Sequence, residues 1–109
     1  MTGKPLVPSA QARRDIDNAV DYYAREAGRD VARSFILELE AAYAFIAAQP
    51  ALGSPRYEHE LALPGLRNRK LKRYPYLVFY IEGDAHIDIA RVLHNSRDIG
   101  PSLAGPTEN

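Results

Sequence analysis

The pattern of hydrophobic periods predicts an α+β fold in the order β-α-α-β-β-β, with an antiparallel helical hairpin packed on one face of a small, mostly antiparallel twisted sheet. Two observations carry this prediction. Between residues 9 and 49 apolar side chains recur at helical spacing in two blocks that part at Gly28. Between residues 66 and 93 the period changes to short runs of β-branched and aromatic residues separated by turn formers.

The first element is weak. Pro5-Leu6-Val7-Pro8 is apolar, but its bracketing prolines restrict it to an edge strand. Ser9 then offers a hydroxyl to the first free amides of a helix. Ala12, Ile16, Ala19, Val20, Tyr23 and Ala27 form one stripe of that helix, over residues 9–27. Gly28 ends it by tolerating a left-handed backbone. A second helix over 29–49 follows, with Asp30 in its first turn, a stripe of Val31, Phe35, Leu39, Ala42, Phe45 and Ile46, and a stop at Pro50. So short a connection makes the pair a hairpin.

Residues 50–65 are a proline- and glycine-rich connector in which no periodicity supports more than a helical turn. Residues 66–73 read as a strand that turns at Tyr74-Pro75 into a second strand over 76–81. That second strand is apolar or aromatic at every position, so it is expected to lie centrally and to be covered on both faces. Glu82-Gly83-Asp84 makes a tight turn into the last strand, 85–93. If Leu77, Phe79 and Ile81 meet the helices, Tyr76 and Tyr80 line the other face, which the hairpin leaves open and concave. The tail, 100–109, holds two prolines and two glycines and is expected to be loose.

At 109 residues the chain is expected to be a single domain. It has no cysteine, so neither disulfides nor thiolate metal sites arise. No apolar run spans a membrane, and no signal-peptide core opens the chain, so a cytoplasmic protein is expected. The net charge is zero, which argues against a generic or sequence-specific DNA binder. The charge is nevertheless uneven. Residues 61–81 hold five bases and no acid, all five within Arg67-Asn68-Arg69-Lys70-Leu71-Lys72-Arg73. Such a strip suits an anionic partner surface, or serves only to keep a sheet edge soluble.

Other chemistry is thinly represented. His86 and His94 share strand parity, but eight residues at ~3.3 Å each part them too far for one metal ion. His59-Glu60 lacks the second histidine of a zinc-protease helix. No cofactor site is expected. His94 is read first as a strand-end histidine bonded to a backbone carbonyl, and second as a proton carrier. Arg91 shares parity with Ile87, Ile89 and Leu93, so it either pairs with a carboxylate or sits at a frayed end.

The element order, together with Pro64-Gly65-Leu66-Arg67, Tyr76-Leu77-Val78-Phe79-Tyr80 and Arg91-Val92-Leu93-His94-Asn95-Ser96-Arg97-Asp98-Ile99, resembles the RelE/ParE toxin superfamily of bacterial toxin–antitoxin modules, and ParE more than RelE. The resemblance spans about residues 6–103, with a core at 6–99. It implies a toxin neutralised by a cognate antitoxin, ParD-like, with a ribbon-helix-helix domain and a C-terminal tail that is disordered until it wraps the toxin. ParE-like members inhibit DNA gyrase by binding it, whereas RelE-like members cleave messenger RNA on the ribosome. The nuclease-type members usually carry a tyrosine or histidine near the C-terminus, and residues 98–109 here contain neither. The expectation is therefore a binding toxin without catalytic residues, its target surface built from Arg67, Arg69, Lys70, Lys72, Arg73, Tyr76, Tyr80, Arg91, His94 and Arg97. A ribosome-dependent ribonuclease is the alternative.

Overall fold

Ser9 caps the first helix as its chemistry dictates: its Oγ accepts the Ala12 amide at 2.9 Å and donates to the Ala90 carbonyl at 2.9 Å. The computed structural model describes residues 4–60 and 62–95; Arg97 and the tail lie outside them. Helix α1 runs Ala10–Ala27 and α2 runs Arg29–Ala48. Gly28, at φ +99°, is the whole connection between them. This positive φ is strained for a residue with a Cβ, which is why glycine stands there. The connector holds a 3₁₀ turn at Pro50–Leu52 and a one-turn helix, α3, at Arg56–Glu60.

The strands are β1 (Leu6–Pro8), β2 (Leu66–Lys70), β3 (Tyr76–Glu82) and β4 (Ile87–His94). They form one sheet in the order β1-β4-β3-β2. Only the β1–β4 pair is parallel. The α+β prediction therefore holds, including the central place of β3 and its antiparallel neighbours. Strand β2 is shorter than expected, ending at Lys70, so residues 71–75 form a loop rather than a tight corner.

Two expectations about the sheet faces fail. Tyr76, Val78 and Tyr80, with Ile87, Ile89 and Val92 of β4, pack under Phe35, Leu39, Ala42 and Ile46 of α2 and Ala12 and Ala19 of α1. Leu77, Phe79 and Ile81 point away from the hairpin, so the assignment of the two faces of β3 is the reverse of the expected one. Nor is that second face open. Leu66, Leu77, Phe79 and Leu93 are buried there with Tyr57 of α3, whose ring lies 5.6 Å from that of Phe79. The physical cause is that β3 is apolar on both sides. Alternation fixes orientation only when one side is polar.

Candidate functional site

The cationic run lies on β2 and the loop after it, and the ladder register decides where each side chain goes. Arg67 stands opposite Tyr80 and Arg69 opposite Val78, so both project to the helix side; Lys70, opposite Leu77, projects to the other. Arg67 donates through Nη1 to the Gly53 carbonyl at 2.8 Å, which holds the connector against the sheet. The Arg69 guanidinium lies 3.5 Å from the centre of the Phe45 ring. Arg73 is bound twice by Glu38, its amide to Oε1 at 3.0 Å and its Nε to Oε2 at 2.8 Å. This contact, the side-chain bond first and the amide second, lowers the Glu38 pKa below its usual value, and Glu38 raises that of Arg73 in return. Lys70 and Lys72 are exposed, and among the described residues no carboxylate pairs with them.

The run is therefore divided. Arg67 is a structural clamp, whereas Arg69, Lys72 and Arg73 rim a groove of about 420 Å³ between α2 and the 71–75 loop, and Lys70 borders it with its side chain directed to the other face of the sheet. Leu37, Ala41 and Phe45 supply its apolar side. The sequence reading gave none of them a place at a site, and counted Phe45 in the buried stripe of the second helix. Leu37 carried a signal: it lies off the Phe35–Leu39–Ala42 stripe, and an off-stripe leucine is an exposed one, here 58% exposed. Glu38 carried none, since its partner is distant in sequence.

Tyr76 and Tyr80 lie buried under the helical hairpin and not on an open face, which corrects their expected placement. Tyr76 is 5% exposed, its ring 5.3 Å from Phe35 and 5.3 Å from His94. Tyr80 is 1% exposed and donates its hydroxyl to the Pro50 carbonyl at 2.7 Å; burial raises its phenol pKa. His94 faces Tyr76 across the β3–β4 ladder.

Arg91 takes the paired alternative. In the ladder Tyr80 meets Ile89 while Phe79 meets Arg91, so Ala90 is an extra residue, a β-bulge. The bulge takes Arg91 out of phase with Ile87 and Ile89, and its side chain pairs with Asp15 of α1. Its Nε and Nη2 bond the two carboxylate oxygens at 2.8 and 2.9 Å, and the Val92 amide adds a third bond at 3.0 Å. With Asp15 neutralising its charge, Arg91 ties β4 to α1 as part of the framework. Arg97, the remaining predicted residue, falls outside the described residues.

His86 pairs with Asp88 at 2.9 Å on the surface. Among the described residues no group of three His, Cys, Asp or Glu side chains could hold a metal ion, and no helix is long and apolar enough to cross a membrane. A second apolar groove, about 680 Å³, runs along the helical hairpin between Val20 and Ala24 of α1 and Ala32, Ile36 and Leu37 of α2.

Residues 6–99 match the family model described as ParE toxin of type II toxin-antitoxin system, parDE. A search of the curated proteins finds no match. Among solved structures the chain is similar to one from the chromosomal ParDE TA system from P. aeruginosa. The two share 22% identity over 84% of this chain and 95% of that one, with a TM-score of 0.70. At that identity the likeness is one of fold.

Proposed function

The chain belongs to the ParE toxin family of type II toxin–antitoxin systems, and from that premise we propose that it acts by binding DNA gyrase in the cytoplasm and is neutralised by a cognate, ParD-like antitoxin. The observation that carries the binding reading is the composition of the groove. Free cations border exposed apolar carbon there, which is the make-up of a protein contact. Phosphate chemistry would instead need converging cations beside a proton carrier. Arg91 is already neutralised by Asp15, and Arg67 is committed to the Gly53 carbonyl.

Purified protein is expected to inhibit gyrase supercoiling, or to trap cleaved DNA, and to leave ribosome-bound messenger intact. Joint replacement of Lys70, Lys72 and Arg73 by glutamine is expected to abolish the effect with little loss of stability, because their side chains are exposed. Adding Arg67→Gln confounds this test, since it removes the clamp on Gly53. Cleaved messenger with unaffected gyrase would overturn the proposal, and ~10²-fold slower cleavage by His94→Ala would then assign His94 as the proton carrier.

A further inference from the structure

We propose that the outer face of the α1–α2 hairpin binds a second copy of this chain, turned end for end about a two-fold axis. The inference goes beyond the target-binding reading and does not depend on which target the protein meets. Its starting point is a stripe that the sheet does not use up. Ile16, Val20 and Ala24 of α1 stand four residues apart, and so do Ala32, Ile36 and Glu40 of α2. They line two grooves along the hairpin that share Val20 and Ile36, one of about 680 Å³ towards Gly28 and one of about 620 Å³ away from it. Ile36 is 37% exposed and its neighbour Leu37 58%, so the face presents apolar carbon to water.

The charges on this face say what covers it. Arg29 and Arg33 border the groove near Gly28, whereas Asp17, Asp21 and Glu40 border the other. Among the described residues no ion pair engages any of the five. At a helical rise of ~1.5 Å per residue, Arg29 and Arg33 lie about 2 and 8 Å from the level of Gly28, Asp21 about 11 Å, and Asp17 and Glu40 about 17 and 18 Å. A two-fold axis crossing the hairpin about 9 Å from that level therefore sets Arg33 of one copy level with Asp21 of the other, and Arg29 level with Asp17 and Glu40. The same operation brings Val20 and Ile36, at about 12 Å, onto Ala24 and Ala32, at about 6 Å, so large apolar side chains meet small ones. One register thus satisfies charge and shape together. Arg13, which neighbours Tyr43 at the far end of the face, falls beyond the tip of the second copy. An anionic membrane surface would call for cations alone, and a nucleic acid would be repelled by the acidic half. A copy of this chain carries both halves in the order required. The overlap, about 18 Å long and two helices wide, is at the small end of specific interfaces, so the dimer is expected to dissociate in the micromolar range.

Sedimentation velocity of the full chain across the micromolar range is expected to show a monomer–dimer equilibrium that weakens as salt rises. Ile36→Asp is expected to weaken dimerisation by ~10-fold or more, because it puts a carboxylate into the apolar centre. Two charge reversals test the register. Arg29→Glu with Arg33→Glu makes both ends acidic, and Asp17→Arg with Asp21→Arg makes both ends basic, so each protein alone is expected to sediment as a monomer. Mixed in equal amounts they are expected to form a heterodimer, since each end then meets its opposite. Val7→Asp, at an exposed apolar residue of β1, is expected to leave dimerisation unchanged, and circular dichroism checks that each variant is folded. A wild type that stays monomeric at the top of the range overturns the proposal and gives the face to a different protein. A dimer that Ile36→Asp leaves intact overturns it too, as does failure of the mixed reversals to associate.

Discussion

Gly53 shows how much one hydrogen atom in place of a methyl can decide. Its φ of −64° and ψ of 155° suit any residue, so the backbone does not demand glycine. The neighbour does: a Cβ there would fall on the Tyr80 hydroxyl and lie 2.8 Å from Cζ. Gly53→Ala must push aside either the buried ring or the connector that Arg67 clamps. It is expected to cost ~2 kcal/mol or more in urea denaturation. Part of that cost should vanish in a Tyr80→Phe background, so strictly additive losses would contradict the account. Tyr43 is the opposite case, a polar group the protein does not need. Its hydroxyl is buried with no partner in reach, and burial pushes its pKa up to about 12, against a smaller opposing pull from Arg13. Tyr43→Phe is therefore expected to be neutral, or stabilising by up to ~1 kcal/mol. The folded pKa lies above the unfolded value of 10, so this group weakens the fold only as pH rises from 10 towards 12. Alkaline denaturation should show that loss in the wild type and lack it in the variant.

At the scale of elements, helix α1 and strand β4 are joined at the bulge. Ser9 bonds Ala90 beside its own cap, and its amide donates to the Ile89 carbonyl at 2.9 Å. Six residues on, nearly two helical turns, Asp15 binds Arg91 and the Val92 amide. The helix bounds were legible because caps and stops are local: Ser9, Gly28 and Pro50 act within a turn of where they stand. The Asp15–Arg91 pair was not legible. Its partners are remote in sequence, and a bulge leaves no mark in an apolar alternation. Both side chains are nearly covered, at 12% and 16% exposed, so removing one partner strands the other. Asp15→Ala is expected to lower stability by ~2–4 kcal/mol, with much of it regained when Arg91→Met is added. Calorimetric melting of the two single variants and the double variant measures the coupling. Equal melting of Asp15→Ala and wild type would show the pair to be ornamental.

For the molecule as a whole, composition made the centre readable and left its orientation undecided. An unbroken apolar run announced that β3 is covered on both faces, yet the same uniformity hid which face meets the hairpin. The candidate site suffered likewise, since the tyrosines were placed on the wrong side, and of the cations in the described run Lys70, Lys72 and Arg73 are the exposed ones. The central place of β3 has a dynamic consequence. It exchanges backbone hydrogen bonds with β2 and β4, and both its faces lie in apolar clusters. No local opening can expose it without separating one of them. By contrast β1 has three residues and one neighbouring strand, and α3 is a single turn. Native-state hydrogen exchange should therefore rank the elements. The amides of Val78, Phe79 and Tyr80 are expected to exchange only through global unfolding, with the full denaturant dependence. The Ile87 and Ser9 amides, which bond across the β1–β4 pair, should open by partial unfolding, and Glu58 in α3 with little denaturant dependence. If amides of α2 outlast those of β3, the stable centre is the helical hairpin and the sheet is built upon it.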